Sequence, residues 1–466
     1  MSAGTPPARD VIEPIEFTEL SGGNGCSIVS ATPGPDLVEH GYREGEYAVR
    51  GVARGYAPSG ADGVTLLDSA AFTTRALLRR PVADTGFNGT VVVEWLNVSS
   101  GSDAAPEYTY LAEELLRNGY AWLGVSAQYT GIAGGHGSVG MAIDGGPRSL
   151  AAKDPERYGA LRHPGDAYCF DIFGAVCAAL RAPSDDGHPL SGLSVRRVLA
   201  AGESQSAMAL TTYANRFAER HAVLDGILIH SRAAAEMPFG EPGCGVDIDQ
   251  VFRGAPTRIA ESVPIPVFMV QTETDVLTNF MSVRSRQPDT DRIRIWELAG
   301  TSHADLHQIG PYESMLGCPT PVNRGQQRFV LRAALHHLNA WAAGGPPPPI
   351  AAPLAVESLD TRPRFVLDEI GNVVGGVRSP SVDAATQVLR GIVTGDVVRI
   401  CMLFGSTTPA DPGLLARRYR DADDYLARYR SATEQMIDSG FALAADRDEI
   451  LADARPDLVP SRSAVG

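Results

Sequence analysis

Apolar positions along this chain follow three successive patterns. From Gly45 to Gly55 and from Val64 to Arg80, apolar and polar residues alternate, with the turn residues Ala57-Pro58-Ser59-Gly60 between them. A period of two predicts half-buried strands, so the first ninety residues read as β-rich. The alternation stops at Thr90-Val91-Val92-Val93-Glu94-Trp95, a short continuous run. Runs of that kind predict strands covered on both faces. Further strands are predicted at Ala121 to Ser126, Arg197 to Ala201, Gly226 to His230, Pro266 to Gln271 and Arg292 to Leu298. Helical spacing fills the gaps. One helix runs from about Glu107 to Asn118 and is stopped by Gly119. Another, with Asp166 as its cap, gathers Phe170, Phe173, Cys177 and Leu180 on one face. A third follows Ser204 to about Glu219, and a fourth covers about Gln326 to Trp341. Strands alternating with helices predict a mostly parallel central sheet with helices on both faces.

The third pattern begins at Gly344-Gly345-Pro346-Pro347-Pro348-Pro349, a stiff boundary. It divides a core, residues 1–343, from an extension, residues 344–466, read as packing on that core. In the extension, Phe365 to Arg378 predicts a hairpin turning at Gly371-Asn372. Leu414 to Ser439 predicts a charged amphipathic helix.

Composition narrows the partners. Forty basic and fifty-five acidic side chains in 466 residues give a net charge of −15. Such a surface repels phosphate backbones, so nucleic acid is not expected as a partner. No apolar run approaches the ~18 residues that span a bilayer, and Met1 to Asp10 has no apolar signal region, so no membrane association is expected and the expected compartment is the cytoplasm. The six cysteines (Cys26, Cys169, Cys177, Cys244, Cys318, Cys401) lack C-x-x-C spacing. In a reducing cytosol they read as free thiols, with Cys244 and Cys318 the pair that could bridge in an oxidising setting.

Candidate chemistry centres on Gly202-Glu203-Ser204-Gln205-Ser206. A serine hydroxyl is a poor nucleophile until a base takes its proton and the backbone presents it. A sharp turn from strand to helix does the presenting, and it needs tiny residues two before and two after the serine. Gly202 and Ser206 occupy those positions, Ser206 replacing the usual glycine. Val198 to Ala201 supplies the strand and Met208-Ala209-Leu210 opens the helix. In enzymes with this elbow the chain order is serine, acid, histidine. His303, after the strand ending at Leu298, is the expected base. Asp275 is the preferred acid and Glu273 the alternative, both just past the strand ending at Gln271. The backbone N–H of Gln205 and one from Leu96 or Asn97 are the expected oxyanion donors. His230 ends a strand on the same side; a substrate contact or a satisfied structural histidine are its two readings.

Two other motifs carry less. Gly135-His136-Gly137-Ser138-Val139-Gly140 matches G-x-G-x-x-G but neither follows a strand nor opens a helix, so no dinucleotide is expected. His303 and His307 lie four apart without the glutamate of H-E-x-x-H, so no metal is expected. No cofactor is required by a serine mechanism.

The stretches VVVEWLNVSSGSDAAPEY, GYAWLGVSAQ, DPERYGALRHPGDAYCFDIF, RRVLAAGESQSA, VQTETDV, GTSHAD and LFGSTTP resemble the bacterial alpha/beta hydrolase domain family over nearly the whole chain. The resemblance implies an α/β-hydrolase fold, esterase-type activity and an extension belonging to the same compact unit. The expected function is a serine hydrolase cleaving a carboxylic ester or lactone through an acyl-enzyme. An acyltransferase using the same acyl-enzyme, or a non-catalytic ligand-binding protein on this scaffold, are the alternatives. The pocket walls are expected from the loops Tyr129 to Pro164 and Ser231 to Val263.

Overall fold

The computed structural model describes residues 10–460 apart from 29–33, 61–62, 136, 139–148, 182–186, 359–361 and 396. Its centre is a nine-stranded sheet in the order β1-β2-β3-β5-β4-β6-β7-β8-β9. The strands are β1 (Glu16–Glu19), β2 (Tyr42–Ser59), β3 (Gly63–Pro81), β4 (Thr90–Trp95), β5 (Ala121–Val125), β6 (Arg197–Glu203), β7 (Gly226–His230), β8 (Val267–Thr272) and β9 (Ile293–Leu298). From β5 to β9 every neighbouring pair is parallel. The first three strands pair antiparallel, and β3 joins β5 antiparallel. This is the mostly parallel sheet with helices on both faces expected from the sequence.

Parallel strands have no solvent face, and their side chains divide accordingly between two cores. Val91, Val93 and Trp95 enter one core and Val92 the other; Ile227 and Ile229 oppose Leu228; Val267 and Met269 oppose Phe268 and Val270. The first core is closed by the helices Cys169–Arg181 and Gln205–Arg216, the second by Pro106–Arg117 and Gln327–Ala342. The helix Cys169–Arg181 forms without the expected cap. The Asp166 carboxylate instead accepts from the N–H groups of Tyr129 at 2.6 Å and Val246 at 2.8 Å, tying together the two loops expected as pocket walls.

The extension lies on the second core. Tyr425, Tyr429, Met436 and Ile450 join Trp296, Leu331 and Leu335 in one apolar cluster. The Trp296 indole donates to the Pro349 carbonyl at 2.8 Å, and the nearly buried Arg332 pairs with Asp446 at 3.0 Å. Val377 runs along β9: its N–H donates to Glu297 O at 2.7 Å, and its carbonyl accepts from Ala299 N–H at 3.0 Å. That segment covers the outer edge of β9, which would otherwise present unpaired backbone groups.

In the extension one expectation holds in shortened form and one needs correction. The hairpin within Phe365 to Arg378 is short: Leu367 bridges Val373, Asp368 N–H donates to Asn372 O at 2.8 Å and Val374 N–H to Val366 O at 2.9 Å. Its turn is held by the Asp368 carboxylate, which accepts from the N–H groups of Ile370, Gly371 and Asn372. The long charged helix is two helices, Pro412–Arg418 and Ala422–Asp438. Tyr419 is extended and buried, and Asp421 caps the second helix by accepting from Asp424 N–H at 2.8 Å. A buried aromatic plus a new cap outweighs the continuous periodicity.

The cysteines are also corrected. Cys318 and Cys401 form a disulfide, while Cys244 is exposed and free. The two paired residues are 83 apart in sequence, and only the fold brings them together.

Candidate active site

β6 runs directly into Ser204, and the helix Gln205–Arg216 starts at the next residue. Ser204 has φ 61° and ψ −118°, a conformation L-residues rarely adopt. Its N–H donates to His230 O at 2.9 Å and its carbonyl accepts from Met208 N–H at 3.0 Å, so strand and helix fix it from both sides. The turn is close-packed: a Cβ on Gly202 would stand 2.9 Å from Ser206 Cβ and 3.1 Å from Leu210 Cδ1. That contact explains glycine at 202, and Ser206, fully buried, is small enough for its place.

Two loops bring partners to the Ser204 hydroxyl. β9 leads to His303, whose Nε2 is 2.9 Å from Ser204 Oγ. β8 leads to Asp275, whose Oδ1 is 2.6 Å from His303 Nδ1. The other Asp275 oxygen accepts from the Thr272 N–H and hydroxyl, each at 2.7 Å. Burial works to raise the Asp275 pKa, but the His303 charge and these hydrogen bonds prevail and hold it below the usual value. For His303, burial favours the neutral ring, yet Asp275 and Glu203 together raise its pKa above 6.5. The Phe280 ring packs 4.5 Å from the imidazole, centroid to centroid.

Glu273, the alternative acid, faces elsewhere. Its carboxylate accepts from Gly300 N–H at 2.6 Å and from Gly391 N–H at 2.8 Å. Burial raises its pKa to about 7 against those two donors. Thr274 completes the link: its hydroxyl donates to Gly391 O at 2.5 Å and accepts from His303 N–H at 3.1 Å. The acid turn and the histidine loop are thus both fastened to residue 391 of the extension.

Gln205 opens its helix, and its N–H has no acceptor among the described residues. Leu96 and Asn97 are corrected as oxyanion donors. Their N–H groups are already bonded, to Val125 O at 3.1 Å and to Ala104 O at 2.9 Å. Asn97 is a brace instead: its Nδ2 donates to Glu203 O at 3.0 Å beside the elbow.

His230 is also corrected as a substrate contact. It is fully buried, its Nδ1 is 3.0 Å from Glu107 Oε1, and Tyr110 packs edge-on against it. Side chains alternate along β7, so the register that pairs His230 with Glu203 turns its ring into the helix Pro106–Arg117, away from the cleft.

Sequence reasoning missed Glu203. It is buried, with Oε1 3.5 Å from His303 Nε2, and burial raises its pKa to about 7 while His303 and His230 pull it down. Its place beside the serine was the available signal.

A narrow cleft opens in front of Ser204 and Gln205. Ser138 comes from the first expected wall, where 136 and 139–148 lie outside the described residues, as do His136, Val139 and Gly140 of the G-x-G-x-x-G match. Ile248 and Phe252 come from the second. Ser99, Met208, Asn279, Phe280 and, from the extension, Arg399, Met402 and Leu403 line the rest. Among the described residues no group of three or more His, Cys, Asp or Glu side chains is arranged to hold a metal ion, and no helix is long and apolar enough to cross a membrane.

A family model described as an alpha/beta hydrolase domain matches residues 11–452. A comparison with curated proteins finds no match. Among solved structures, the chain is similar to a Klebsiella pneumoniae protein assigned as a dienelactone hydrolase, at 14% identity, covering 63% of this chain and 98% of that one with a TM-score of 0.31. It is also similar to a fungal esterase of Rhizomucor miehei, at 10% identity, 63% and 85% coverage and a TM-score of 0.32. An esterase of Pyrococcus furiosus matches at 12% identity, 59% and 89% coverage and a TM-score of 0.29.

Proposed function

Because the chain belongs to the alpha/beta hydrolase domain family, we propose that it is a serine hydrolase cleaving a small carboxylic ester or lactone through an acyl-enzyme. The observation that carries this reading is the unbroken chain of hydrogen-bonding groups from Asp275 through His303 to Ser204, ending at a cleft.

The steps follow from the geometry. Ser204 Oγ attacks the ester carbonyl carbon as its proton passes to His303 Nε2. Asp275 holds Nδ1–H, fixing the tautomer and stabilising the imidazolium. The Gln205 N–H, at the positive end of its helix, is one oxyanion donor; the second is not one of the two N–H groups expected from the sequence. The carbonyl–alkoxy bond breaks, and His303 returns its proton to the departing alkoxide. Water then attacks the acyl-enzyme, giving its proton to His303. The acid leaves, and Ser204 regains its proton. Each step uses residues of this chain and water alone.

The Cys318–Cys401 bridge argues against the cytoplasm expected above, since stable disulfides are characteristic of oxidising compartments. A p-nitrophenyl ester screen by chain length, with lactones and amides alongside, tests the activity. Fluorophosphonate labelling that maps to Ser204 tests the mechanism. A folded protein that neither labels nor turns over any of these would sink the reading.

A further inference from the structure

Between Ser204 and solvent the cleft is walled mainly by apolar side chains, Met208, Ile248, Phe252, Phe280, Met402 and Leu403. Arg399 is the one cation among the described residues that line it. Its guanidinium makes two side-chain contacts, and the helix that carries it is anchored. Nη2 donates to Asp249 Oδ1 at 2.9 Å. The group lies over the Phe252 ring, 6.0 Å from its centroid. The short helix that carries it, Arg399–Phe404, is pinned by the Cys401 disulfide to Cys318 and by Leu403 O and Phe404 O, which accept from Ala304 N–H and Asn323 N–H. Asp249 takes one N–H of Nη2; the other Nη2 N–H, with Nε and Nη1, has no protein acceptor among the described residues, so one two-donor face of the fork is open, and the side chain is 45% exposed.

An arginine fixed this way is a prepared carboxylate receptor. Two parallel N–H donors match the two oxygens of a carboxylate. The setting strengthens the point. A net charge of −15 repels anions at a distance, so the chain attracts one only where a local cation prevails within about a Debye length.

Resting on the reading of Ser204 as nucleophile, we propose that Arg399 selects esters or lactones that carry a carboxylate remote from the scissile carbonyl. The apolar walls take the methylene chain between the two groups.

The test uses the full chain and matched substrates: p-nitrophenyl hydrogen adipate against p-nitrophenyl methyl adipate, then the longer homologues. The acid is expected to exceed its methyl ester in kcat/KM by about tenfold, carried by KM. Arg399→Gln brings that ratio close to one, and Arg399→Lys keeps part of it. Raising NaCl from about 0.05 M to about 0.5 M narrows the ratio several-fold in the unsubstituted protein, which decides the matter even if Arg399→Gln fails to fold. A wild-type ratio at or below one for every chain length overturns the inference, as does a ratio indifferent to Arg399→Gln or to salt. If the methyl esters are cleaved in a Ser204-dependent way without any preference for the acids, this inference alone fails. If neither series is cleaved and no fluorophosphonate adduct forms, the hydrolase reading fails and takes this one with it.

Discussion

The elbow that presents Ser204 and the loops that present Asp275 and His303 are held in different ways. The elbow is self-contained: its fixing bonds run to His230 in the adjacent strand and to Met208 in the helix it starts. The acid and histidine loops lean on distant chain. Glu273 and Thr274 reach Gly391 across 118 and 117 residues, and the cleft wall Arg399–Phe404 comes from the same distant segment. One half of the site follows from strand-turn-helix geometry, whereas the other is also tied to residue 391 of the extension.

Cutting the chain before residue 344 breaks the second half wholesale and is expected to have the largest effect. Tyr425, Tyr429, Met436 and Ile450 would leave their cluster. At roughly 1.5–3 kcal/mol per buried large side chain, that loss approaches the ~5–15 kcal/mol that stabilises a whole domain. Residues 1–343 should express as aggregated, inactive protein. A monodisperse active fragment on size-exclusion chromatography would show that the core stands alone.

Ser204→Ala attacks the first half by a single atom. Esterase kcat should fall about 10⁴- to 10⁶-fold with the melting temperature nearly unchanged. More than a few per cent of residual activity in a clean preparation contradicts the assignment.

Asp275→Asn and Glu273→Gln separate chemistry from fastening within the second half. Asp275→Asn should cost about 10⁴ in kcat by favouring the wrong imidazole tautomer. Glu273→Gln should cost about tenfold or less, but should destabilise by about 1–3 kcal/mol, because an amide offers one acceptor where two N–H groups need two. Steady-state kinetics paired with urea unfolding read both; the reverse ranking in kcat would exchange their roles.

The smallest expected effect concerns pH. His303 must be neutral to take the serine proton, and its pKa is raised by Asp275 and Glu203 against the effect of burial. Activity therefore falls as pH drops through that raised value. Glu203 itself titrates at about 7, so its charge acts on His303 from about neutral pH upward. Glu203→Gln removes that charge, and the acid limb of kcat/KM should move to lower pH, most visibly near neutral pH. A limb that stays, or moves up, excludes Glu203 as an influence on the base.

The same division explains what could be read from the sequence. The runs at Thr90–Trp95 and Gly226–His230 match their strands residue for residue because two-sided burial forces continuous apolar character. Ser204 was legible because its turn demands small neighbours. The strand-to-acid spacing pointed to Asp275 without excluding Glu273; the separation came from Gly300 and Gly391, whose N–H groups claim Glu273. The Leu96 and Asn97 donors failed because local pairing with Val125 and Ala104 consumed them. The Cys318–Cys401 bridge and the Arg399 wall join residues too far apart for any spacing rule.

The backbone at Ser204 has a consequence for the engineer. At φ 61° and ψ −118° only glycine is at ease, and a side chain there costs about 1–3 kcal/mol. Ser204→Gly should therefore raise the melting temperature above that of Ser204→Ala while being equally inert. On the proposed reading of Ser204 as nucleophile, screening variants for heat resistance alone would discard the catalyst in favour of its own empty scaffold.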